Sequence, residues 1–178
     1  DYLVALGTHQ PHNEVELCQL VGITPEERST TFSRIGICNH EWKDPDTFCR
    51  IGTISLDQTR EIIGNRLDGL DHDAGLLKEI PVRINRMILD YDHLLICGPT
   101  FPHEVVGFSG GNKYFFPGIG GSEIINYSHW LGAVISSYVI IGTKYTPVRR
   151  IIDLAARLID KPKTCFSLVV SGNHLSGL

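Results

Sequence analysis

Between Pro102 and Trp130 the chain reads PHEVVGFSGGNKYFFPGIGGSEIINYSHW, and this stretch sets what the remainder has to support. Glycines let a backbone turn tightly and bring bare N–H groups up to a ligand. Lys113 follows Gly110, Gly111 and Asn112, so its amine can project from the same turn. His103 and His129 flank it, and imidazoles move protons or bind metals near neutral pH. The stretch reads as a ligand-holding site with its own reactive groups.

The rest of the chain reads as an α/β scaffold. Tyr2–Leu6 has the pattern of a buried strand ending at Gly7-Thr8-His9, and Pro11 stops its continuation. Asn13 with Glu16 forms a capping box for a helix, and Thr24-Pro25 opens a second. Short strands are expected at Arg34–Cys38, Phe48–Ser55, Pro81–Asn85, His93–Cys97 and Phe166–Val170. Asp57–Lys78 reads as a helix and a charged surface excursion, and Ile84–Leu89 as a short helix. Ser122 and Glu123 open a helix that carries His129 about two turns in. Leu131–Ile141 is apolar and fits either strand or helix. The clearest helix starts at Thr146-Pro147, with Val148, Ile151, Ile152, Ala155, Leu158 and Ile159 on one face and Arg149, Arg150, Asp153 and Arg157 opposite. Alternating strands and helices predict one domain over residues 1–178. Its expected form is a doubly wound, mostly parallel, Rossmann-like sheet with helices on both faces. Ligands of such sheets bind at the carboxyl ends of strands, where His9 and His103 both fall.

Composition narrows the class. The net charge of −4 gives no reason to expect a nucleic-acid partner, and no apolar run is long enough to span a membrane. Five cysteines without a CxxC spacing suggest buried thiols in a reducing cytoplasm, Cys97 among them in the core. The chain opens directly on a strand pattern without an initiator Met, so a fragment of a longer protein is expected.

The motifs carry different weights. GFSGGNK is neither a Walker A loop nor GxGxxG, and a tight turn with a solvated lysine is its plain alternative. Its frame of Phe108, Tyr114, Phe115 and Phe116 favours more, because a partly desolvated lysine loses its proton readily and becomes nucleophilic. His103 sits in a loop with no core-packing task. His129 reads either as a metal ligand or as a helix histidine satisfied by a carbonyl; one histidine is not a metal site, so further ligands must come from elsewhere. His9 reads as functional and His40 as functional or turn-forming, whereas His12, His72, His93 and His174 read as turn, strand-start or surface residues. Ser109 lies in a glycine turn and not in a GxSxG elbow.

GTHQP at 7–11, NHEWKDPD at 39–46, PVRINRMILDYD at 81–92 and HEVVGFSGGNKYFFPGI at 103–119, followed by His129, resemble the nickel-pincer-dependent lactate racemase family. The motifs run in the family's order over nearly the whole chain. The regions around Thr24–Ser33 and Asp57–Lys78 are longer than the family pattern, and Gln10 stands where an Arg is expected.

The resemblance implies a nickel-pincer nucleotide: a pyridinium mononucleotide that holds Ni(II) by a carbon and two sulfurs. It implies that Lys113 joins the cofactor covalently, that His129 is the fourth nickel ligand, and that His9 and His103 are the acid/base pair. Gly110 and Gly111 would help hold the cofactor. The implied reaction is racemisation or epimerisation of a lactate-like 2-hydroxy acid by hydride transfer, each histidine serving one enantiomer. An epimerase of a larger hydroxy acid, a nickel- or cofactor-binding protein without turnover, and a plain phosphate-binding domain are the alternatives. The implied partners are the small hydroxy acid, a C-terminal lobe of the same protein and the enzymes that make the cofactor.

Overall fold

A computed structural model describes residues 1–64, 75–171 and 174–177; His72 and most of the expected excursion within Asp57–Lys78 lie outside the described residues. The elements in order are β1 (Tyr2–Val4), α1 (Glu14–Leu20), α2 (Pro25–Ser29), β2 (Ile37–Asn39), β3 (Phe48–Ile54), α3 (Leu56–Ile63), β4 (Ile80–Asn85) and β5 (Leu94–Thr100). They continue with β6 (Pro102–His103), β7 (Gly107–Phe108), α4 (Ser122–Ile135), α5 (Ser137–Ile140), α6 (Pro147–Arg157), β8 (Lys163–Ser171) and β9 (His174–Gly177). Single turns of 3-10 helix cover Pro45–Thr47, Arg86–Asp90 and Gly111–Tyr114.

The fold is mixed α/β, but the described strands form four small sheets and not the single doubly wound sheet expected. β1 pairs β2 in parallel, β3 pairs β4 antiparallel, β6 pairs β7 antiparallel, and β5 pairs β8 in parallel with β9 alongside. The reason lies in what occupies the strand edges. β4 spends edge groups on the glycine-rich stretch: Asn85 N donates to Ile119 O at 2.9 Å, Gly121 N donates to Arg83 O at 3.0 Å, and Ile84 bridges Gly120. β1 stops after three residues, where Leu6 N turns back onto Val4 O at 3.0 Å.

Local chemistry sets the helices as expected. Asn13 and Thr24 both close capping boxes, with Glu16 and Glu27 respectively. Thr146 caps α6, accepting from Arg149 N and donating to Val106 O at 3.2 Å. Val148, Ile151, Ile152 and Ala155 are fully buried on its inner face. Each of the larger three contributes about 1.5–3 kcal/mol by leaving water. The ambiguous 131–141 segment is helical: α4 runs to Ile135, Ser136 breaks it at φ 85°, and α5 follows. α6 packs on α3, α4 and the turn that carries Lys113.

The thiols depart from expectation. Cys18 is buried and Cys38 and Cys49 are half-buried, but Cys97 and Cys165 are exposed. Cys97 alternates outward from the inward Leu94, Ile96 and Gly98 of β5, a period-2 pattern that puts it on the open face of the sheet. No helix among the described residues is long and apolar enough to cross a membrane.

Candidate functional site

The crossover from β5 to β8 carries the glycine-rich stretch, and its first strand ends beside His103. Gly110 has φ +81° and Gly111 φ +56°, and a Cβ on Gly110 would lie 2.4 Å from Thr100 Oγ1. The turn is thereby restricted to glycine at a position where β5 ends. Lys113 N donates to Gly110 O at 3.2 Å, and Phe116 N to Asn112 O at 2.9 Å. Phe115 and Phe116 plug into the core, fixing the turn from below. Ser109 is structural, its Oγ accepting from Phe101 N at 2.9 Å and donating to Pro99 O at 3.1 Å.

Lys113, His103 and His129 share one electrostatic neighbourhood. Burial holds the Lys113 amine below the usual lysine range, the positive charge of Arg149 adds to this, and Glu104 opposes it. His103 is held below the ordinary imidazole value by burial first, then by Lys113; Glu104 opposes, and His129 and Arg149 lower it further. His129 lies on the outer face of α4, where partial shelter and the Lys113 charge lower it against the Ile125 carbonyl and Glu104. Val105 N donates to His103 Nδ1 at 3.1 Å, so the neutral ring carries its proton on Nε2. Glu104 Oε2 lies 3.7 Å from the same Nδ1.

His9 is exposed just beyond β1 and contributes to none of the shifts of Lys113, His103 or His129. Its loop is nevertheless tied to the lysine segment. Gly7 N donates to Gly118 O at 2.7 Å, and Gly118 N to Lys113 O at 3.1 Å. The NHEW segment holds the other side of the loop: Trp42 Nε1 donates to His9 O at 3.0 Å, and Asn39 bonds both His12 N and His12 O through its side chain.

Four residues acquire roles that their types alone did not suggest. Asn39 and Trp42 shape the His9 loop, and their sequence signal is membership of the NHEWKDPD segment around His40. Asn85 donates from Nδ2 to His40 Nδ1 at 3.1 Å while its Oδ1 accepts from Met87 N at 3.0 Å. His40 is thus a core residue, 1% exposed, ring edge-on to Phe48, with Nε2 facing the Gly120 backbone and lacking an aligned hydrogen bond. Burial lowers its proton affinity, with the Gly120 backbone opposing. Arg149, expected on the solvated face of α6, instead donates from Nη1 to Gly110 O at 3.3 Å and from Nη2 to Phe108 O. Among the described residues no group of three His, Cys, Asp or Glu side chains is placed to hold a metal ion.

Residues 65–140, which hold His103, the lysine turn and His129, match the family described as the lactate racemase N-terminal domain. Over that segment the chain is similar to a lactate racemase N-terminal domain. A crystal structure of a protein from Thermotoga maritima superposes on it with a TM-score of 0.80 at 29% identity, over 97% of this chain and 39% of that one. The lactate racemase apoprotein from Thermoanaerobacterium thermosaccharolyticum gives 0.63 at 20% identity, over 95% of this chain and 34% of that one. The chain thus spans well under half the length of these relatives. None of the curated proteins matches it. His9, Arg149 and the whole of α6 lie outside the 65–140 match.

Proposed function

We propose that the chain is the cofactor-binding and acid/base part of a 2-hydroxyacid racemase or epimerase that uses a nickel-pincer nucleotide. The observation that carries this reading is the Lys113–His103–His129 neighbourhood inside the matched domain, with a lysine amine held below its usual range.

The residues fit such a cofactor. Lys113 offers a nucleophilic amine at the end of a glycine turn whose amides suit a phosphate, at Gly110 and Gly111. His129 offers a ring nitrogen on the exposed face of α4, and one imidazole completing a sulfur-rich set suits Ni(II). The absence of a three-residue metal cluster among the described residues fits a nickel whose other donors come from the cofactor. When bound, the cofactor supplies a ring that accepts and returns a hydride.

The chain's own residues then handle the proton. His103 is neutral at pH 7 because its proton affinity is lowered, which is the state a base needs. Nε2 can accept only once the ring proton moves to Nδ1, and Glu104, 3.7 Å from that atom, stabilises the alternative tautomer. His9 serves the opposite enantiomer from a separate loop, tied to the lysine segment through Gly118. The substrate would be a lactate-like or larger 2-hydroxy acid, with the carboxylate held by residues of the longer protein.

Expression of the parent protein with the cofactor-making enzymes, followed by intact mass and metal analysis, tests the reading. A nickel-containing adduct absent from Lys113→Ala is expected, as is racemisation lost in His9→Ala and His103→Ala with the adduct kept. An unmodified, nickel-free protein would sink the assignment. Cofactor retention without turnover on any hydroxy acid would instead support a binding role, which the exposure of His9 and its separation from the shared charge effects favour.

A further inference from the structure

Arg149 stands in the first turn of α6, and both of its terminal nitrogens are committed to the chain itself. Nη1 donates to Gly110 O and Nη2 to Phe108 O, the two carbonyls that bracket Ser109 in the glycine turn. A guanidinium presents a rigid fork of donors, and bonds to two carbonyls fix its position as one bond would not. One turn further along the same helix, Asp153 Oδ1 accepts from Asn112 Nδ2 at 2.8 Å. α6 therefore grips the lysine turn at Phe108, Gly110 and Asn112, immediately before Lys113. With its forked end spent on carbonyls, Arg149 is poorly disposed to clamp a substrate carboxylate. Its charge is felt instead by Lys113 and by His103.

We propose that Arg149 is a positioning residue for Lys113: a cation fixed to the Phe108 and Gly110 carbonyls, which holds the turn that presents the lysine side chain for attack. This rests on the reading of Lys113 as the attachment residue. It adds an element beyond the matched 65–140 segment, because the groups that prepare the lysine come from α6.

The test needs no cofactor. The chain is treated with limiting acetic anhydride across a pH series, and acetylation at Lys113 and at exposed Lys43 is read by peptide mass spectrometry. In the labelling step a neutral amine attacks an anhydride carbonyl, the new amide forms as acetate departs, and the ammonium proton is lost to solvent. In the wild type the Lys113 midpoint lies below the ordinary lysine value of 10.5. Arg149→Met raises the Lys113 midpoint, and each unit of rise lowers the free-amine fraction about tenfold at a fixed pH below both midpoints. Arg149→Lys, which restores a cation able to reach the carbonyls, recovers most of the loss. Arg150→Ala, next on the helix but paired with Glu61, leaves the midpoint unchanged.

A wild-type midpoint in Arg149→Met overturns the proposal, and so does an Arg149→Lys profile no better than that of Arg149→Met. Thermal unfolding checks that each variant is folded; should the Met variant not fold, Arg149→Gln is read against the same two outcomes. A Lys113 that never carries cofactor leaves these profiles untouched, so the two assignments fail separately.

Discussion

Acid is expected to weaken the fold through His40. Asn85 Oδ1 accepts from Met87 N, which turns its amide nitrogen toward His40 Nδ1 and makes that atom an acceptor. The ring proton therefore sits on Nε2. Adding a second proton would set a new N–H against the Asn85 N–H, inside the core and with no acceptor. Burial lowers the folded-state proton affinity below the ordinary value of 6.5, against the opposing Gly120 backbone. As the pH falls through about 6.5 the unfolded chain takes up this proton first. The stabilisation is thus complete above the unfolded pKa and is lost as the pH falls toward the folded one. The slope is at most about 1.4 kcal/mol per pH unit for one proton, so going from about pH 7.5 to about 5.5 costs up to about 1.4 kcal/mol. That is a sizeable part of a domain stability of about 5–15 kcal/mol. Urea unfolding followed by tryptophan fluorescence, at both pH values, gives the loss for the wild type and for His40→Gln. His103 and His129 also have lowered affinity and titrate in both proteins, so the difference between the two losses isolates His40. Equal losses would refute the reasoning.

Two further expectations concern the site. Glu104→Gln removes the carboxylate that raises His103, so the His103 midpoint followed by NMR moves to lower pH, and added salt shrinks the difference between the two proteins. Gly110→Ala forces a left-handed backbone onto alanine and sets its Cβ against Thr100 Oγ1; a loss of about 1–3 kcal/mol in urea unfolding is expected, with slower labelling of Lys113.

The local elements were legible because their causes are local. Asn13 with Glu16, Thr24 with Pro25, and Thr146 with Pro147 each carry a cap and its partner within four residues, and all three helices begin where the pattern puts them. The exposed Cys97 also follows from alternation along β5, once the inward face is known. The sheet was not legible, because its edges are decided by contacts far apart in sequence: Asn85 with Ile119, and Arg83 with Gly121. Lys113, His103 and His129 stand out by type and spacing, while their shared electrostatic neighbourhood emerged only from the folded chain. Arg149 was hidden by its own helix, since a charged residue opposite an apolar face looks solvated until something packs over it. His40 shows the reverse, a polar residue beside reactive-looking neighbours that turns out to be packed inside.

His103, Lys113, His129 and Arg149 all fall on the single crossover between β5 and β8, whereas His9 stands on the loop leaving β1. The two halves meet through the backbone pair Gly7–Gly118, whose demand on side chains is confined to those two glycines: Gly7 has φ +60°, and a Cβ on Gly118 would lie 2.2 Å from Tyr114 O. The His9 loop can therefore change its residues, or its reach through Asn39 and Trp42, without disturbing the lysine turn. Under the proposed function, the machinery that handles a cofactor can be inherited intact while the opposite wall of the site is free to drift toward new hydroxy acids.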